Sequence, residues 1–171
     1  LACQRSNIVL ARGDVPCDVL FCGEAPGQSE DALGIPFVPN APAGSLLEQI
    51  IARAIPTTVR CAFTNLVACF PAEAKARGDN EPEHYEIRAC RPRLEEFIML
   101  AQPRLVVLVG SLAQSWVQHD AYGLIHGAKV CEIIHPASIL RQDIPLAKKQ
   151  SMVNHAVVVL RNAVEDMLQS V

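Results

Sequence analysis

Four short apolar runs constrain this chain more than any other feature. They are Asp18 to Gly23 (DVLFCG), Ala62 to Val67 (AFTNLV), Leu105 to Gly110 (LVVLVG) and Lys129 to His135 (KVCEIIH). Each has the length and apolar content of a buried strand. Between them the apolar period changes to that of a helix. In Ala43 to Ala54 (AGSLLEQIIARA), Leu46, Leu47, Ile50 and Ile51 fall on one helical face. Glu81 to Ala101 reads as a helix opened by Glu-Pro-Glu and stopped by Gln102-Pro103, with a break or restart at Pro92. Ser111 is positioned to cap the helix LAQSWVQ, and Pro145 to Leu168 holds a final amphipathic helix from about Gln150 onward.

Strands alternating with helices predict an α/β fold: three layers, α/β/α, around a central four-stranded parallel sheet. A length of 171 residues predicts one domain spanning 1–171. Half the residues are hydrophobic and 19% are charged, which excludes a disordered chain. The apolar runs are too short to cross a bilayer. A net charge of −3 argues against a broad basic face. The densest basic stretch is local, around Arg141, Lys148 and Lys149. Seven cysteines without a visible secretory signal predict reduced core thiols, a metal site or a cluster rather than a disulfide framework.

In a parallel sheet, ligands bind beyond the carboxyl ends of the strands. Gly23–Gly27, Asn65 with Cys69, Gly110-Ser111 and His135-Pro136 all follow strand ends, so they are expected along one sheet edge. That edge offers the Glu24 carboxylate, the Asn65 amide and the His135 imidazole, with Phe37 in a neighbouring loop. An amide and an aromatic ring can read and stack a planar base. A carboxylate and an imidazole can position water and stabilise developing charge. Each residue also has a plainer reading: Glu24 as a turn cap, Asn65 as a turn residue, Phe37 as core, His135 as a structural histidine. Asp31 either supports the Gly23–Gly27 loop or is a solvated charge. His84, His119, His126 and His155 are read as structural.

The wording along the chain adds a further constraint. GEAPGQSED, GIPFV, TNLVAC, ACRPRLEEFI and HPASILR, in that order, resemble a family 4 uracil-DNA glycosylase, the iron–sulfur branch of the uracil-DNA glycosylase superfamily. The resemblance runs from about Cys3 into the final helix. It implies an enzyme that hydrolyses the N-glycosidic bond of uracil flipped out of DNA, leaving an abasic site for base-excision repair. By the same resemblance, Glu24 helps position the attacking water and His135 donates to the departing uracil. Gly23 and Ala25 line the base pocket, Phe37 stacks on uracil and Asn65 hydrogen-bonds its edge. Pro136, Ala137, Ser138 and Arg141 belong to a loop that presses into the duplex. The implied partner is uracil-containing DNA, and the implied protein is a cytoplasmic monomer, prokaryotic or viral-encoded, with no membrane association.

The resemblance also implies a [4Fe–4S] cluster held by four cysteines. Cys69, Cys90 and Cys3 match three of its ligand positions. The remaining position falls before Leu1, so the fourth ligand is expected upstream of residue 1, with Cys17 as the substitute within the chain. Zinc is the alternative metal for a four-cysteine site. Cys22, Cys61 and Cys131 are read as buried small hydrophobes. Two departures from the family pattern stand out. The segment PFVPNAPAGSLL is long near the pocket, and Ala72 to Asn80 lengthens the stretch between Cys69 and Cys90 without a basic, histidine-bearing loop. The second predicts ordinary turnover rather than covalent trapping. Because the chain is acidic, DNA binding is expected to tolerate salt poorly. A non-catalytic DNA- or partner-binding module on the same fold is the competing reading.

Overall fold

The computed structural model describes residues 6–71, 81–117 and 124–170. Its strands are β1 (Arg12–Gly13), β2 (Val19–Gly23), β3 (Cys61–Asn65), β4 (Leu105–Val109), β5 (Leu124–Ile125) and β6 (Ala128–Ile133). Its helices are α1 (Gln28–Leu33), α2 (Pro42–Ala54), α3 (His84–Ala101), α4 (Ser111–Trp116), α5 (Pro136–Ile139) and α6 (Leu146–Gln169). The strands form one sheet in the order β1-β3-β2-β4-β6-β5. The four inner strands are mutually parallel, as the apolar runs predict. The expected four-stranded sheet is extended to six by β1 and β5, two-residue antiparallel strands that flank it. Two residues carry no readable period, which is why the sequence did not announce them.

The inner strands are buried on both faces, and alternate residues feed two cores. Val19, Phe21, Phe63, Val107 and Ile133 pack against Leu47 and Ile50 of α2 and Leu160 and Val164 of α6. Leu20, Cys22, Ala62, Val106 and Leu108 face Ile87, Leu94 and Ile98 of α3 and Ala113 of α4. Each large aliphatic side chain buried this way contributes about 1.5–3 kcal/mol. Helices on both faces give the three-layer architecture.

Three local expectations are corrected. Helix α3 runs through Pro92 without a break. Pro92 and Arg88 are both exposed, so the Arg88 carbonyl that loses its donor faces water. Ser111 is the first helical residue of α4 rather than its cap; Gly110 takes the capping position at φ 97°. Helix α6 starts at Leu146, four residues before the expected Gln150, with Pro145 at its N-cap. Among the described residues, no helix is long and apolar enough to cross a membrane.

Candidate active site

The ends of β2, β3 and β6 each bring one polar side chain to a shared cavity of about 750 Å³. Glu24, Phe37, Asn65 and His135 line it together, with Ala25 beside them. The loops that carry them are tied to one another through the backbone. Leu66 N–H donates to the Gly23 carbonyl (2.9 Å), and Gly110 N–H donates to the Ile133 carbonyl (3.0 Å). Of the expected edge residues, Glu24, Asn65 and His135 share this cavity with Phe37, whereas Gly110 and Ser111 line a neighbouring one and Cys69 lines neither.

Asn65 ends β3 and is 2% exposed. Its Nδ2 is buried with no hydrogen-bond partner among the described residues. Leaving such a donor unpaired costs about 1–3 kcal/mol, so the site favours a ligand that supplies an acceptor there. Gly23 packs directly beneath it. A Cβ at Gly23 would overlap both Asn65 Oδ1 and the ring tip of Phe37. The missing side chain is what lets the amide and the aromatic ring meet.

Phe37 is buried and adopts a left-handed backbone, φ 49°. That conformation is uncommon for an aromatic residue and has to be held from outside. Two side chains hold it. Phe37 N–H donates to Glu30 Oε1, while Glu30 Oε2 accepts from Gly27 N–H at 2.5 Å. On the other side, Arg12 Nη2 donates to the Phe37 carbonyl (3.2 Å) and to Glu48 (2.5 Å). The Arg12 guanidinium also lies 3.6 Å from the centre of the Phe63 ring. Burial pushes the Glu30 carboxyl above its ordinary range, opposed by the two N–H donors and Arg12. Neither Glu30 nor Arg12 was singled out in the sequence, because their partners become neighbours only through the fold.

His135 follows β6, with its ring 6.2 Å from that of Phe37. Ala137 N–H donates to His135 Nδ1 (3.1 Å). A nitrogen that accepts carries no proton, so the neutral ring bears its proton on Nε2. Burial lowers the imidazole pKa from 6.5 to about 4. Near neutral pH, His135 is therefore an uncharged Nε2–H donor.

Glu24 Oε1 accepts from Leu112 N–H (3.2 Å). Burial raises its pKa, opposed by that hydrogen bond, with Glu81 adding to the rise. Gly110 makes room for it: a Cβ there would overlap the carboxylate and crowd His135. The positive φ of Gly110 and this close approach together exclude a side chain. Glu24 and His135 also face a second cavity of about 440 Å³, shared with Ser111 and Gln114.

Around the rim, Ala137, Ser138, Leu140 and Arg141 border the main cavity. Pro136 is buried at the start of α5. Arg141 is exposed and pairs with Asp143 at 3.3 Å. Leu140 is 38% exposed, an apolar side chain presented at the mouth.

The family model described as the uracil DNA glycosylase superfamily matches residues 11–161. The chain belongs to that superfamily. A Type-4 uracil-DNA glycosylase of Sulfurisphaera tokodaii is 35% identical over 114 residues, 66% of this chain and 49% of the relative. Another, of Pyrobaculum aerophilum, is 32% identical over 155 residues, 81% of this chain and 76% of the relative. A third, of Thermotoga maritima, is 28% identical over 149 residues, 81% and 74% of the two chains. The chain thus spans about half the length of the first relative and about three quarters of the other two.

For a superfamily member the cysteines matter next. Cys69 is buried four residues beyond β3, and Cys90 is half-buried on α3. Cys3 and the stretch from Ala72 to Asn80 lie outside the described residues, as does His119. Among the described residues, no three His, Cys, Asp or Glu side chains converge as a metal site. The donor chemistry around Cys69 and Cys90 nevertheless suits an anionic thiolate group. Arg93 projects from α3 beside them, with Nε buried and unpartnered. Cys17 does not fit the role of substitute ligand. It precedes β2, whereas Cys69 follows β3, so the parallel strands put the two at opposite sheet edges. Burial pushes Cys17 up to about 11 and Cys22 up to about 12, which keeps both thiols protonated. Cys22 and Cys131 are buried in the core as expected, while Cys61 is half-buried.

Asp31 is not a solvated charge, and its carboxylate holds the amino-terminal arm rather than the Gly23–Gly27 loop. It is 7% exposed and accepts from Ser6 N–H (2.8 Å) and Asn7 N–H (3.2 Å). Asn7 Nδ2 returns a bond to the Asp31 carbonyl (2.7 Å). These bonds fasten the amino-terminal arm to α1.

Proposed function

We propose that this chain is a monofunctional uracil-DNA glycosylase that hydrolyses the N-glycosidic bond of uracil flipped out of DNA. The observation that carries the reading is the buried, unpartnered Asn65 Nδ2 in a cavity shared with Phe37, Glu24 and His135. Uracil presents an acceptor, O4, next to a donor, N3–H. The Asn65 amide complements both, with Nδ2 donating to O4 and Oδ1 accepting from N3–H. Cytosine presents the reverse pattern and would leave the buried amide unsatisfied, the kind of mismatch that discriminates strongly. Phe37 supplies the flat wall on which the ring stacks.

Bond cleavage moves an electron pair from the C1′–N1 bond onto uracil and leaves cationic character on the sugar. His135 Nε2–H meets the charge that develops on uracil O2. A neutral donor suits this task, because it is worth most as the anion forms. The Glu24 carboxylate stabilises the sugar cation and orients a water. The water oxygen bonds to C1′, and its proton passes to Glu24. An abasic site and free uracil remain. Leu140 and Arg141 at the rim suit the loop that fills the gap left by the base, an apolar wedge beside a phosphate contact. Gly23 and Ala25 form the floor, and Ala137 and Ser138 the DNA-facing wall.

Cys69, Cys90 and Cys3, with a fourth thiolate upstream, would hold a [4Fe–4S] cluster. When bound, it would cross-link the amino-terminal arm to the segment between Cys69 and Cys90, and no step above depends on it. The free cysteines among the described residues suit a reducing, cytoplasmic setting, and we take the protein to act there as a monomer.

The test is anaerobic incubation with a uracil-containing oligonucleotide followed by alkaline strand cleavage. Wild type is expected to cut at uracil and not at cytosine, and His135→Ala to cut far less. A wild-type preparation with intact iron–sulfur absorbance and no cleavage would overturn the enzymatic reading in favour of a binding module.

A further inference from the structure

One half-buried cation has no part in the chemistry above. Arg93 leaves α3 directly after Pro92 and reaches the carboxyl end of β3. Its Nη1 donates to Thr64 Oγ1 (2.8 Å). Its Nη2 donates to the carbonyls of Asn65 (2.7 Å) and Leu66 (3.0 Å). The Nε is buried with no partner. The same guanidinium lies within electrostatic reach of Cys90, Cys22 and Cys69. Among the described residues, its hydrogen-bond acceptors are thus a hydroxyl and two carbonyls, all neutral. A cation taken out of water onto neutral acceptors is costly unless an anion balances it. Of the three neighbouring thiols, Cys22 is kept protonated by burial. Cys69 and Cys90 are the two that the cluster reading makes thiolates.

We propose that Arg93 couples the cysteine site to the base pocket, as fixed countercharge to the Cys69 and Cys90 thiolates and as anchor for the backbone of the uracil-reading Asn65. The inference rests on the cluster reading and adds a residue to it. The two halves share one geometry. A planar guanidinium can present separate donors to the strand end and to the sulfur at once, which an ammonium cannot. Fixing the Asn65 carbonyl fixes where its amide stands relative to Phe37. Arg93 is accordingly a positioning residue, acting on uracil only through Asn65.

Wild type, Arg93→Met and Arg93→Lys are compared after anaerobic purification. Iron and acid-labile sulfide are counted, and the visible absorbance is followed during challenge with an iron chelator. The kcat and KM are then measured on a uracil oligonucleotide, with circular dichroism to establish folding. Outer-shell partners of metal ligands typically change affinity by about 10–100-fold. Arg93→Met is therefore expected to lose its absorbance at least about tenfold faster than wild type. Its KM should rise more than its kcat falls. Arg93→Lys should recover cluster retention, because it restores the charge, but not KM, because it lacks the fork. If Arg93→Met does not fold, Arg93→Lys decides: retention with raised KM supports the coupling, and any other pairing overturns it. Wild-type retention and KM in a folded Arg93→Met overturns this inference alone. Wild type without iron or sulfide overturns the cluster reading, and this inference with it.

Discussion

The base pocket and the cysteine region are built on opposite plans. The pocket takes polar side chains from the ends of β2, β3 and β6 and a ring from the loop after α1, and Glu24, His135 and Phe37 are each held by a hydrogen-bond partner along the same sheet edge. Leu112 N–H sets Glu24, Ala137 N–H sets His135, and Glu30 sets Phe37. What remains unpaired there faces the space a base would fill. The proposed cysteine site would join Cys90 on α3 and Cys69 beyond β3 to Cys3, which lies outside the described residues. Its half-buried Arg93 lacks a partner on Nε. A pocket made by the sheet should keep its shape when the chemistry is removed. A site joining distant segments should lose stability when its bonds are removed.

The sharpest test is to damage each region once and read both properties. His135→Ala removes the donor to the leaving group and should lower kcat by about 10²–10³, with a melting temperature close to wild type. Cys90→Ala should do the reverse. It should abolish cluster absorbance and lower the melting temperature clearly, while activity falls by about tenfold. Steady-state kinetics and thermal melts of both proteins check this. A Cys90→Ala protein as stable as wild type would break the comparison.

A second pair sharpens the account of the pocket itself. Gly110→Ala forces a side chain against Glu24 at a backbone angle that disfavours one. It should cost activity and stability together, the latter by about 1–3 kcal/mol. Glu30→Gln keeps the size but turns one acceptor into a donor facing an N–H. With Phe37 no longer held at both ends, KM for the uracil oligonucleotide should rise by about tenfold, roughly 1.4 kcal/mol of binding. An unchanged KM would mean that the Phe37 backbone holds itself.

This contrast also explains what could be read in advance. Glu24, Asn65 and His135 were visible because apolar runs of strand length end just before or at them, and a parallel sheet aligns such ends. Those relations are local in sequence and need only the strand period. The Arg12–Phe37–Glu30 clamp, the seat of the arm on Asp31 and the room that Gly110 leaves for Glu24 were not visible. Each joins residues brought together by packing, such as Arg12 with Phe37 across 25 positions and Glu24 with Leu112 across 88. Arg93 looked like any helix arginine beside a proline. Pro92 predicted a break because sequence alone does not show that the orphaned carbonyl faces water.

A last effect is expected in the pH dependence of stability, and it turns on His135. Burial holds the folded imidazole at about 4, against 6.5 for the free side chain. The unfolded chain therefore binds a proton that the folded chain refuses. Above 6.5 both forms are neutral and the group contributes nothing to the pH dependence. As pH falls from 6.5 towards 4, wild type loses stability on this account, by at most about 1.4 kcal/mol per pH unit. Glu24 works in the other sense. Its raised pKa lets the folded state take up a proton before the unfolded state does, so acidification favours the fold. A wild-type profile alone would mix the two. The difference between wild type and His135→Asn, measured by urea denaturation across this range, largely removes contributions common to both, though Glu24 lines the same cavity and a residual coupling remains. That difference should favour the variant progressively below pH 6.5 and level off near 4. A flat difference would mean that His135 is solvated in the folded protein, and the neutral donor proposed for the leaving uracil would lose its physical basis.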